Sequence, residues 1–146
     1  MSEELKQTIE AFLSGHNYLN LATASPDGKP LAHTVAYVNI GPVVYFGTGG
    51  SARKSKNIKA NPAVAYTVDD DDFGVKTQQF LQMEGKAEIL TNKEEAGKIQ
   101  GMFLAKFPQF KDMPEMADSI MIKIVPKSCL FSDFAKGFAH NDIVAY

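Results

Sequence analysis

Three runs of strand-forming residues follow one another between residues 18 and 48, and the turns between them are too short to hold a crossover. Residues 18–24 (YLNLATA) and 31–40 (LAHTVAYVNI) are separated by Ser25-Pro26-Asp27-Gly28-Lys29-Pro30, a dense cluster of turn formers. Gly41-Pro42 then separates the second run from Val43-Val44-Tyr45-Phe46-Gly47-Thr48. Parallel neighbours need a connection of a dozen residues or more, so these strands must pair antiparallel. Residues 63–68 (AVAYTV) and 75–90 extend the pattern, with Gly85 placed where a bulge can bend the longer strand. Residues 119–125 (SIMIKIV) and 128–134 (SCLFSDF) read as two final strands with Pro126-Lys127 between them, and the tail from Lys136 shows no period. Some six strands at this spacing predict a mostly β chain, an antiparallel barrel rather than a βαβ sheet.

Two or three helices fit between the strands. Leu5, Ile9, Phe12 and Leu13 recur at helical spacing over residues 3–14, with Ser2 as a cap and Gly15 as the stop. Asn92 followed by Glu95 is a capping-box start for a helix to about Phe107, whose Ala96, Ile99, Met102 and Phe103 form a core-facing stripe. A shorter helix is expected from Ala52 to Ala60, stopped by Asn61-Pro62. With 146 residues and neither linker nor repeat, one domain spanning 1–146 is expected.

Charge and cysteine usage exclude several classes. The net charge of −2 offers no basic surface for nucleic acid. No apolar run approaches the roughly 20 residues that span a bilayer, and the N-terminus does not resemble a signal peptide, so the cytoplasm is the expected location. The single cysteine, Cys129, sits in an apolar run and reads as a buried, inert thiol. Asp69 to Asp72 reads as a solvated turn, and no His/Cys cluster has the spacing of a metal site.

One segment carries an electrostatic oddity. Thr48-Gly49-Gly50-Ser51-Ala52-Arg53-Lys54 runs from a strand end through glycines into a helix. A helix start bears unpaired N–H groups and partial positive charge, yet Arg53 and Lys54 stand in this first turn. The mismatch disappears if an anion binds there, with the glycines permitting close approach, Thr48 and Ser51 offering hydroxyls, and Arg53 pairing with phosphate oxygens. A plain solvated basic face is the alternative. Neither a GxxxxGK[ST] loop nor a GxGxxG fingerprint is present.

Other polar residues carry less. His16, beside Gly15 at a helix end, reads as structural. His33 shares a strand face with Leu31, Val35 and Tyr37, and His140 lies in the tail. Glu84 and Glu88 read as one polar strand face rather than an acid–base pair, and no nucleophile–base arrangement stands out. Any difficult chemistry must therefore come from a cofactor.

The strings LNLATASPDGKPLAHTVAYV, VVYFGTGGSARKSKNIKANPAVAYTV and MEGKAEIL, in this order, resemble the pyridoxamine 5′-phosphate oxidase-like family of FMN-binding split barrels. The likeness runs over roughly residues 5 to 134 and is most specific from Tyr45 to Val68. It implies a homodimer with two flavin mononucleotides (FMN) in clefts at the interface. It implies that Arg53 and Lys54 bind the phosphate, that Ser51 and Thr48 help, and that Asn57 belongs to the same motif. It further implies that His33, Thr34 and Val35 pass along the isoalloxazine ring, and that Gln78 or Gln79, with Gln79 preferred, reaches the flavin from the partner subunit. True pyridoxamine phosphate oxidases are longer and end in an Arg- and Trp-containing stretch that reads the substrate. This chain has no tryptophan, and its tail KGFAHNDIVAY has no arginine. The resemblance is therefore to the small relatives, and it implies an FMN-dependent oxidoreductase acting with an unassigned small-molecule substrate or electron donor. The alternatives are a non-catalytic flavin-binding or electron-relay module, or a barrel using a deazaflavin or haem, the last with His33 or His140 as axial ligand.

Overall fold

A computed structural model describes residues 2–146. Tyr18–Ala24 (β1) and Pro30–Ala36 (β2) form an antiparallel hairpin, turned at Gly28, whose φ of 86° suits a residue without a Cβ. Then follow Val38–Ile40 (β3), Val43–Gly49 (β4), Ala63–Asp69 (β5), Gln79–Ile89 (β6), Ser119–Asp133 (β7) and Asn141–Ala145 (β8). They make one antiparallel sheet in the order β2-β1-β5-β6-β7-β4-β3, with β8 also on β7. β2 and β3 stand at opposite ends of that order, yet Tyr37 alone separates them in the chain. The sheet must therefore curl until its two ends approach. The result is the expected antiparallel split barrel with flanking helices.

Three expectations about the strands need correction. Residues 31–40 are not one strand but two, because Tyr37 turns out of both ladders. Its N–H donates to the Asn17 carbonyl (3.1 Å) and its buried phenol to the Leu13 carbonyl (2.6 Å). Pro126-Lys127 is not a turn: β7 runs straight through it. Gly85 pairs with Pro126 and Glu84 with Ser128, so Lys127 is the extra residue of a bulge, where a proline's missing N–H is tolerated. The bulge at Gly85 is as expected, and it needs a glycine. A Cβ there would lie 2.6 Å from the Val125 carbonyl oxygen. Finally, the tail contains β8, whose only buried residue is Val144, too weak an alternation to read.

Ser2–Ser14 (α1) buries Ile9, Phe12 and Leu13 in the main core, with Phe12 edge-on to Phe131 at 5.3 Å between ring centroids. Ser2, expected as its cap, is the first residue inside it. Lys93–Lys106 (α3) is capped as expected, the Asn92 side chain accepting from the Glu95 N–H at 3.0 Å. With Phe107 it buries Ile99 and Phe103 against Val38 and Tyr45, covering the outer face of β3 and β4. Arg53–Ala60 (α2) packs near β1, where Asn57 donates to the Thr23 hydroxyl at 3.0 Å.

The outer face of the remaining strands is uncovered and almost uncharged. One row across the sheet reads Thr34, Asn20, Thr67, Gln82, Leu130, Ile143, and the next Ala32, Ala22, Ala65, Glu84, Ser128, Ala145. Glu84 is the single ionisable side chain among the twelve. Among the described residues, no helix is long and apolar enough to cross a membrane. Burial pushes the Cys129 thiol up to about 12, which makes it inert as a nucleophile at neutral pH.

Candidate functional site

The turn from β4 into α2 places the Thr48–Lys54 segment at one end of the barrel. β4 holds Thr48 opposite Ile120 and Gly49 opposite Ser119, at the first residue of β7. The chain then enters α2 with Ala52 as the N-cap, and no side chain caps it. The first bond back into this end is Lys56 N–H to the Ala52 carbonyl, so the N–H groups of residues 53, 54 and 55 receive no partner from the helix. No acid stands in the first turn, and Arg53 and Lys54 belong to none of the ion pairs among the described residues. Two cations and three unpaired donors thus share the first turn of α2, and neither cation has an ion-pair partner among the described residues.

His33 completes the electrostatics. It lies on β2 opposite Leu21, and its Nε2 is buried with no hydrogen-bond partner. Burial, then the charges of Lys54 and Arg53, hold its pKa below the usual imidazole value. The ring is accordingly neutral at pH 7, and the unfolded chain takes up a proton before the folded one does. Stability contributed by neutral His33 is present above about pH 6.5 and is lost as the pH falls through the lower folded value. Inorganic phosphate bound at Arg53 and Lys54 would offset their repulsion. An NMR titration of the His33 ring is therefore expected to shift upward in pKa when phosphate is added, and an unmoved titration would separate His33 from any such site.

The other expected residues are distributed unevenly. Thr48 borders a groove of about 510 Å³ that runs past Gly47 and Ala36, under Phe103 and Phe110, to Met121. Exposed Met113 and Met116 form its outer rim. Thr34 faces away from His33 and donates to Asn20 at 3.2 Å, while Val35 packs against the main core. Asn57 is turned to β1. Gln79 pairs with Asp133, the last residue of β7, whereas Gly49 pairs with Ser119, the first. Gln79 is thus at the far end of the barrel, with the strand parity of Leu81 and Met83, and Gln78 precedes the strand. Neither can approach Arg53 within one chain.

One residue was not anticipated. Asp118 Oδ2 accepts from both the Ser51 N–H (3.1 Å) and the Ser51 hydroxyl (2.8 Å), and the Asp118 carbonyl accepts from Gly50 N–H (2.8 Å). No local signal marks it, since the contact spans 67 positions. The groove's thioether and phenyl walls escaped for the same reason, being assembled from α3, the 3-10 turn Pro108–Asp112 and β7.

Residues 5–133 match the family model described as pyridoxamine 5′-phosphate oxidase. A pyridoxine/pyridoxamine 5′-phosphate oxidase of Rubrobacter xylanophilus is 44% identical over 92 residues, covering 61% of this chain and 40% of the relative. The match therefore spans about two fifths of that enzyme's length. Among solved structures, an F420 reductase is 31% identical with a TM-score of 0.62, over 82% of this chain and 94% of that one. The haem storage protein HutZ of Vibrio cholerae shares the fold at 17% identity, with a TM-score of 0.72 over 84% and 90% of the two chains.

Proposed function

The chain belongs to the pyridoxamine 5′-phosphate oxidase family, and on that premise we propose that it binds FMN, with the phosphate on the start of α2 and the isoalloxazine ring in the groove beyond Thr48. The observation that carries this reading is the uncapped, doubly cationic helix start joined through Thr48 to an apolar groove. A phosphate monoester supplies the negative charge that Arg53, Lys54 and three free N–H groups lack. The groove offers a phenyl- and thioether-lined slot for a planar ring. The buried Nε2 of His33, near enough to feel the charges of Lys54 and Arg53, is available to a polar group of a ligand bound there.

The bound flavin would exchange electrons with a small-molecule substrate or donor, which makes an oxidoreductase the working assignment. The chain's own part is to hold the phosphate, orient the ring and shield one of its faces. Glu115 is the one ionisable side chain that lines the groove among the described residues, and a flavin carrier without turnover is the second form of the same reading.

A homodimer belongs to this proposal. Two rows of sheet surface with a single carboxylate are poorly suited to water, and Ile143 at their edge is 75% exposed. A second copy on this face would cover it. It would also offer a route for Gln79 to reach a site from which it is remote in its own chain.

A deazaflavin of the F420 type carries the same elements, a phosphate and a fused three-ring system, and the likeness to an F420 reductase keeps it as an alternative ligand. Haem fits less well. His16 has both ring nitrogens engaged, by the Phe12 carbonyl (2.6 Å) and Asp70 (2.5 Å), and His140 Nε2 lies 2.9 Å from Asp142. That leaves His33, which is pressed between burial and two cations.

Thermal melts of the apo-protein with FMN, F420 or haemin separate these ligands. FMN at a hundredfold its Kd should stabilise by about 2.7 kcal/mol, with a yellow flavin spectrum. Stabilisation by haemin or F420 without any by FMN would overturn the assignment.

A further inference from the structure

Ser51 is the hydroxyl of the loop that a phosphate would be expected to recruit, yet its donors are already spoken for. A serine hydroxyl has one proton, and this one points to Asp118 Oδ2 at 2.8 Å, as does the Ser51 N–H at 3.1 Å. Gly50 N–H is held by the carbonyl of the same aspartate at 2.8 Å. The approach is so close that a Cβ on Gly50 would sit 3.0 Å from that carbonyl oxygen. Three bonds from two consecutive residues therefore end on Asp118. Asp118 is itself anchored by the next residue, Ser119, which opens β7 opposite Gly49. On the other side of the loop, Lys59 Nζ donates to the Gly50 carbonyl at 3.1 Å.

We infer that Asp118 is a positioning residue: it grips Ser51 and so fixes the 49–51 loop in the shape that exposes the α2 start, leaving Arg53, Lys54 and the helix N–H groups to hold the phosphate. Ser51 in this protein is a structural arm and makes no bond to the ligand. The inference rests on the reading that the α2 start takes a phosphate. Hydrogen bonds from Ser51 hold the Asp118 carboxyl below the usual range, so it stays ionised at neutral pH and keeps accepting from Ser51. An ionised carboxylate beside the site also repels a phosphate that would lean toward Ser51, which directs the anion to the helix side.

The test is a double-mutant cycle read by FMN affinity, with amide exchange of the ligand-free protein as a second measurement. Ser51→Ala and Asp118→Ala should each weaken FMN by about tenfold, and the combined variant should be no weaker than either. Asp118→Asn should bind FMN at least as tightly as Asp118 does, because an amide oxygen still accepts from Ser51 and a like charge is gone. In the ligand-free protein, exchange of the Ser51 amide should quicken in Asp118→Ala and stay slow in Asp118→Asn. Losses that multiply in the combined variant, or a loss from Ser51→Ala with none from Asp118→Ala, would make Ser51 a direct ligand and overturn the inference. Unchanged Ser51 exchange in Asp118→Ala would overturn it equally. Arg53→Ala/Lys54→Ala, run alongside, reports separately on the phosphate site: if that variant binds FMN normally, the functional reading fails, while the exchange measurement still decides whether Asp118 holds the loop.

Discussion

Arg53→Ala combined with Lys54→Ala is expected to abolish FMN binding and leave the fold intact. Hydrogen bonds to charged groups are worth about 1.5–3 kcal/mol each, so losing two of them removes roughly 3–6 kcal/mol, a factor above one hundred in Kd. The apo-protein should not suffer. Neither side chain pairs with a carboxylate among the described residues, and each cation opposes the α2 dipole by about 0.3–1 kcal/mol when no anion is bound. The double variant should therefore melt at or slightly above the parent temperature without FMN, and should lose the upward shift when FMN is added. Flavin fluorescence titration and paired melts measure both halves. Unaltered affinity would place the phosphate elsewhere.

Phe131→Ala is expected to cost about 3–5 kcal/mol of stability, the range for a fully buried aromatic cut to alanine. Phe131 is 0% exposed and pairs across the ladder with Leu81 while its ring meets Phe12 of α1. The vacated space lies under α1, so exchange protection of that helix should fall along with global stability. Phe138→Ala is the internal comparison, since that ring is 83% exposed and its removal should change stability by little. A loss below about 1 kcal/mol for Phe131→Ala would mean that the barrel end collapses onto the cavity.

Local rules held at several places in the chain, though not at the Ser2 cap. The turn at Ser25–Pro30, the Asn92 cap and the bend at Gly85 each depend on residues within a few positions of one another, and each is found where its chemistry put it. The cationic start of α2 was visible for the same reason. What stayed hidden depends on distant partners. Pro126 looks like a breaker until Gly85, some forty residues earlier, is seen to tolerate it from across the ladder. Tyr37 looks like one more strand residue until the Asn17 and Leu13 carbonyls claim its polar atoms. Asp118 is an ordinary loop aspartate until the fold brings it to Ser51. The expected flavin contacts divide likewise: Thr48, Arg53, Lys54 and His33 gather at one end of a single chain, whereas Gln79 can join them only from another copy.

Lys127 has a consequence out of proportion to its exposed, unremarked side chain. Upstream of it the buried apolar residues of β7 are even-numbered, Ile122 and Ile124; downstream they are odd-numbered, Cys129 and Phe131. The extra residue is a phase shifter, a single half-step that lets both halves of a fifteen-residue strand face the same interior. Any side chain could stand there, but a residue must. Its deletion would turn the second half of β7 inside out, offering Leu130 and Ser132 to the core and Cys129 and Phe131 to solvent. At this position a substitution should be tolerated and a change of length should not, and both expectations follow from one count, the parity of the chain.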